Sequence, residues 1–234
     1  MIPLDDLTAI GLAWARVFPT VTIVPAFGLR ALPTPARGVL ALALAAGIYP
    51  ALVPIVAARG DAPFFILAIE QIVLGLPVAL AAAVTLWAAT MAGGLVDALR
   101  GSADGPGLAP VEGKASSFGV LLSLFASVVF LASGGPSRAA SALASYELPA
   151  HPLVAAAHDI VAGIGLAIAL GGPLLAAAVV LEVAFALVAR AATPAQIHAL
   201  LAPLRALGLL AIVAIVLERV ATLLGSAVRS SIPS

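Results

Sequence analysis

The stretch QIVLGLPVALAAAVTLWAATMAGGLV, residues 71–96, runs for twenty-six residues without a charge. A helix crossing a bilayer needs about 20 apolar residues. A soluble domain would have to hide such a run behind a polar shell, and this chain has none. Only 9% of its 234 residues are charged and its mean hydropathy is +1.20. Soluble domains carry about 25% charged residues, so most of this surface must meet lipid or other apolar subunits. The chain reads as an integral membrane protein. Helices are the expected form: they satisfy every backbone group internally, and the Ala/Leu/Val/Gly-rich runs lack the alternation of a barrel strand.

Working outward, charge-free runs recur at residues 17–29, 38–58, 115–137, 160–181 and 206–217. Extended to plausible caps, all the runs give helical regions near 4–29, 36–58, 63–99, 116–133, 152–190 and 195–228, in one integral membrane domain. The first region is expected to break at Pro19 and Pro25, the second at Pro50 and Pro54. As straight helices, 63–99 and 152–190 would each be roughly 55 Å long, against a hydrocarbon core of about 30 Å. Gly75-Leu76-Pro77 and Gly171-Gly172-Pro173 mark a break in each, predicting kinked helices or re-entrant hairpins. The fold class is therefore all-α and polytopic.

Charge excludes several functions. Eleven basic and eleven acidic residues balance to zero, which argues against nucleic acid, whose phosphates select a basic excess. With no cysteine there is no thiolate chemistry or Cys-ligated metal. The opening MIPLDDLTAI carries two aspartates and no cation, a poor signal-peptide start, so the first apolar segment is expected to be retained. Basic residues alternate between successive connections: Arg30, Arg37, Arg100, Lys114, Arg190 and Arg205 in the odd ones, Arg59 and Arg138 in the even ones. By the positive-inside rule the odd connections face the cytoplasm, given simple spanning topology.

Few side chains carry chemistry. Glu70 and Glu182 lie inside apolar segments, where an ionisable group is costly and marks a buried partner or a polar pathway. The structural reading pairs Glu182 with Arg190 or a neighbouring subunit and sets Glu70 near the interface; Arg16 is placed to pair with either acid. His151, His158 and Asp159 lack a third ligand at useful spacing for zinc, and His198 stands alone. No G-x-S-x-G elbow or P-loop is present, and no serine has an identifiable histidine partner, so no enzymatic activity and no cofactor are expected. SGGPS (133–137) reads as one helix ending and the next beginning, with Ser133 or Ser137 as a cap. The polar exception is residues 101–114, which hold four glycines, two prolines, two acids and a lysine. Opposite charges flank this segment, Asp97 with Arg100 and Glu112 with Lys114. It is either an ordinary connector or a segment packed into a conduit, since irregular backbone at membrane depth needs protein or water around it.

The order of features resembles the FliR/SctT family of inner-membrane export-gate subunits. RVFPTVTIVPAFGLRALPTPARGVLALALAAGIYP (16–50) is similar to the family's opening, and EQIVLGLPVALAAAVTLWAATMAGGLVDALRG (70–101) to its Glu-x-x-x-x-Gly helix ending in Gly…Asp…Arg-Gly. SSFGVLLSLFASVVFLASGG (116–135), then SYELP (145–149), resembles its Ser-Ser-x-x-Gly, Gly-Gly and Ser-Tyr-x-x-Pro succession. GGPLLAAAVVLEVAFALVARAATPAQIHALLAPLRAL (171–207) is similar to its ending, and the ordered set covers about 210 residues. The Asp97–Gly101 element and Ser145-Tyr146 lie closer to the injectisome branch of type III secretion than to the flagellar one. The resemblance implies a subunit of a pseudo-helical gate in the bacterial inner membrane, a channel for unfolded polypeptide. Implied partners are FliP/SctR-like and FliQ/SctS-like subunits and an FlhB/SctU-like switch protein. It also implies a plug carried by Gly101, Gly105, Pro106, Gly107, Leu108 and Pro110. Arg16, Glu70, Asp97, Arg100, Glu182 and Arg190 are then polar contacts between helices or subunits. The reading from a different class is a small-molecule secondary transporter with broken helices and Glu182 or Glu70 as proton site.

Overall fold

In the computed structural model the described residues are 4–27, 34–59, 62–99, 116–145, 152–191 and 198–232. Among them the ordered elements are helices: α1 Leu4–Ile23, α2 Thr34–Arg59, α3 Phe64–Leu99, α4 Ser117–Ala132, α5 Gly135–Ser145, α6 Pro152–Ala191 and α7 His198–Ser231. By length and hydropathy four described segments can cross a membrane: Pro35–Pro54, Phe64–Ala98, Ala157–Ala191 and Ala206–Ser231. The bent pair α4 and α5 makes a fifth if it counts as one span.

Proline behaves differently from the sequence expectation. α1 runs through Pro19 and stops before Pro25, while α2 runs through both Pro50 and Pro54. α3 and α6 likewise continue through Pro77 and Pro173, so neither long region folds back as a hairpin. One proline removes one amide donor, and in surroundings without water the remaining backbone bonds hold the helix together. The stop at Ile23 follows from Val24, the residue before Pro25, whose α conformation the proline ring disfavours. Thr22 Oγ1 donates to the carbonyls of Phe18 and Pro19 in that last turn, 2.9 and 3.0 Å away.

The sharp bend falls elsewhere, at Ser133-Gly134, where α4 and α5 diverge by 67°. Gly134 adopts φ of 77°, the left-handed geometry that glycine adopts without penalty at a helix end. Its carbonyl accepts from Arg138 N at 3.1 Å, opening α5. α5 is an element the six expected regions omit. The two serines of this turn do not act as N-caps: both hydroxyls donate to carbonyls, Ser133 to Phe130 at 3.2 Å and Ser137 to Gly134 at 2.8 Å. Ser133 thereby closes an orphan acceptor at the end of α4. Five of the basic residues assigned to connections lie within helices: Arg37 and Arg59 in α2, Arg138 in α5, Arg190 in α6 and Arg205 in α7.

The chain divides into two compact units, residues 1–86, 127–163 and 225–234 in one, and 87–126 with 164–224 in the other. In the first, α1 packs on α2 and α2 on α5. Trp14 Nε1 donates to the Gly38 carbonyl at 3.4 Å, and Phe27 meets Phe130 edge-on, centroids 5.7 Å apart. Phe130 in turn lies against Gly135, where any side chain would strike its ring. In the second unit Val96, Phe118 and Leu174 form a buried cluster backed by Ile212, Val213 and Val216. The span in α3 is 67% buried inside the molecule, against 22% for those in α2 and α6 and 17% for α7. α3 is the buried helix, and the others present apolar surface outward.

Candidate functional site

A polar arrangement in the second unit lies where the last turns of α3 meet the first turn of α4. Ser116 precedes the apolar run of α4 and acts as its N-cap: its carbonyl accepts from Val120 N at 2.8 Å and its hydroxyl from Gly119 N at 3.2 Å. The amide just before these, Phe118 N, donates to Oδ2 of Asp97 at 2.5 Å. Asp97 sits on α3, twenty-one residues earlier, and is only 2% exposed. A carboxylate held in a dry site requires such partners, and the positive end of a helix is a favourable one. Two further residues bring the backbones together. A Cβ at Gly93 would collide with the Phe118 carbonyl, and one at Gly119 would come within 3.2 Å of the Thr90 carbonyl. Thr90, Gly93 and Asp97 share one face of α3 by their spacing of three and four.

A second arrangement lies in the first unit, where α1 crosses α3. Arg16, 1% exposed, is the largest fully buried side chain among the described residues. A Cβ at Gly75 would collide with the Arg16 carbonyl. The Gly75-Leu76-Pro77 segment is thus a helix-crossing point rather than a break, with glycine allowing the close approach. One turn before it, Gln71 is 4% exposed with no hydrogen bond to Oε1, and Thr20 Oγ1 is also buried and unbonded. Thr20 lies in an apolar cleft with Val17, Phe27, Ile48 and Leu143.

Of the residues singled out from sequence, Arg16 and Asp97 are buried, Glu70 and Glu182 half-buried and Arg190 exposed. Arg16, Glu70, Glu182 and Arg190 each take part in an interaction. Arg100, His151 and the plug residues Gly101, Gly105, Pro106, Gly107, Leu108 and Pro110 lie outside the described residues. No group of three His, Cys, Asp or Glu among the described residues can hold a metal ion. Sequence reasoning passed over the capping role of Ser116 and the contacts of Gly93 and Gly119. The Ser-Ser pair ahead of an apolar run was the available signal. It also passed over Glu218 and Arg219, both exposed, near the middle of the span Ala206–Ser231.

Together these features define an all-α, multi-pass membrane protein whose outer helices are apolar and uncovered. The family described as "Bacterial export proteins, family 1" matches residues 7–231, so the chain belongs to that family. It is a multi-pass protein of the bacterial inner membrane. A stretch of 66 residues is 41% identical to the "Secretion system apparatus protein SsaT" of Salmonella typhimurium, covering 28% of this chain and 26% of that relative. The match thus spans about a quarter of the relative's length.

Proposed function

We propose that this protein is a non-enzymatic core subunit of a type III secretion export gate, forming part of the passage for unfolded polypeptides. The observation that carries this reading is the outer surface of α6 and α7. The Ala157–Ala191 span of α6 holds 35 residues, 22% of them buried in its most apolar part. At about 1.5 Å per residue it is roughly 52 Å long, well beyond a hydrocarbon core of about 30 Å. A tilt within the usual range of about 0–40° cannot reconcile the two lengths. The span of α7 carries Glu218 and Arg219 on exposed positions midway along. Lipid alone does not cover a helix as long as α6 or one charged at its middle as α7 is, and water does not cover surfaces so apolar. Other protein subunits do. Family membership and the similarity to a secretion-apparatus protein support the same reading.

The partners on this reading are two unlike small membrane subunits, of the FliP/SctR and FliQ/SctS kinds, and an FlhB/SctU-like switch protein. The residues 101–114 act as a plug in the passage. Two experiments test it. Mild-detergent purification from native membranes should recover the chain with unlike membrane partners; recovery alone or as a homo-oligomer would return the transporter reading. Deleting residues 103–110 should leave assembly intact and make the reconstituted complex leak ions; a deletion no leakier than the parent ends the plug assignment.

A further inference from the structure

We propose that Asp97 is a positioning residue that ties the two ends of the 100–115 segment together, giving that segment a fixed base. α3 ends at Leu99, two residues after Asp97, and Ser116 is the first described residue beyond the segment. The bond from Phe118 N to Asp97 Oδ2 therefore closes the chain at the root of the segment.

Three observations make this more than a helix cap. Ser116 already caps α4 from its own position, through the amide of Gly119. The Phe118 amide of that turn donates instead to a side chain of another helix, and the acceptor is a carboxylate in a chain with only eleven acids. Finally, Gly93 lies one turn before Asp97 on the same face and lets the α3 backbone touch the Phe118 carbonyl. Glycine approach and carboxylate bond thus act on the same residue of α4 from two successive turns of α3. Phe118 also belongs to the buried cluster with Val96 and Leu174, so its place is fixed by its side chain as well as its amide. Closing a segment of this length costs chain entropy, and a charged hydrogen bond out of water is strong enough to hold it closed.

The consequence for sealing rests on the plug reading above; the tie itself does not. The test uses the assembled complex with its native partners, reconstituted in liposomes, with parent, Asp97→Ala, Asp97→Val, Asp97→Asn, Ser116→Ala and the 103–110 deletion. Asp97→Val keeps side-chain volume while removing the acceptor, which guards against a cavity effect in Asp97→Ala. Hydrogen exchange over residues 116–120 is expected to rise about tenfold or more in Asp97→Ala and Asp97→Val, the size of a lost charged hydrogen bond. Asp97→Asn keeps an oxygen acceptor and should stay well below that rise. Ion leak should rise in Asp97→Ala and Asp97→Val, less than in the deletion, and stay at the parent level in Ser116→Ala, which loses a cap but not the tie. Parent-like exchange in Asp97→Ala and Asp97→Val overturns the proposal. Raised exchange without leak, in a complex that the deletion does make leaky, supports the tie and overturns its consequence for sealing, while leaving the plug reading intact. If the deletion itself does not leak, the plug reading fails and the tie stands or falls on the exchange data alone.

Discussion

Phe130 and Thr20 show how single side chains set the packing of the first unit. Phe130 is fully buried between Phe27 and Gly135, next to the bend that ends α4. Truncating it to alanine opens a cavity between them, and Phe130→Ala is expected to cost about 3–5 kcal/mol, read from unfolding in mixed detergent micelles. Thr20 has the opposite sign. Its hydroxyl is buried among apolar side chains without a hydrogen bond. Thr20→Val removes the unpaired polar atom at nearly constant volume and should raise stability by about 1 kcal/mol in the same measurement. Gly75 is intolerant of any side chain because the Arg16 carbonyl occupies the space a Cβ needs. Gly75→Val should separate α1 from α3 and cost about 1–3 kcal/mol or more, with the loss suppressed little by detergent choice.

At the level of elements, α7 is the informative helix. Glu218 and Arg219 lower its apolar character halfway along, where a lipid-facing helix would avoid charge. Replacing both by leucine improves α7 as a membrane segment, each charge removed favouring insertion by about 2.5–3.5 kcal/mol at a helix centre. If partner subunits cover this face, Glu218→Leu with Arg219→Leu inserts as well as the parent yet recovers fewer partners on co-purification. Unchanged recovery would assign the face to lipid. The helices themselves were largely legible in the sequence. Six expected regions correspond to α1, α2, α3, α4, α6 and α7, because long apolar runs leave helix as the economical way to satisfy the backbone. α5 was not legible. Its eleven residues, GPSRAASALAS, are short and small, and they are helical because Gly134 turns the chain and α2 provides a surface to pack on.

Across the whole molecule, the same composition that demands a membrane also demands company. Three of the four spans among the described residues bury no more than 22% of their most apolar stretch. The isolated chain is therefore expected to aggregate or to need excess detergent, and to gain thermal stability when co-produced with its partner subunits, as size-exclusion profiles of the two preparations would show. Equal behaviour alone and in company would contradict an obligate assembly.

Hydrophobic run length, the scarcity of charge and the order of short motifs by themselves determined that this is a helical multi-pass membrane protein of an export family. The first two are properties of transfer from water to lipid and are additive along the chain, and the third is a pattern read in one dimension. Only the tertiary structure decided where prolines are tolerated, that Gly75 and Gly93 are contact points, and that Asp97 reaches the amide of Phe118 rather than serving only its neighbours in sequence. Each of those depends on which backbone lies within a few ångströms of which, and that is set when one helix crosses another, not by any residue's own preference.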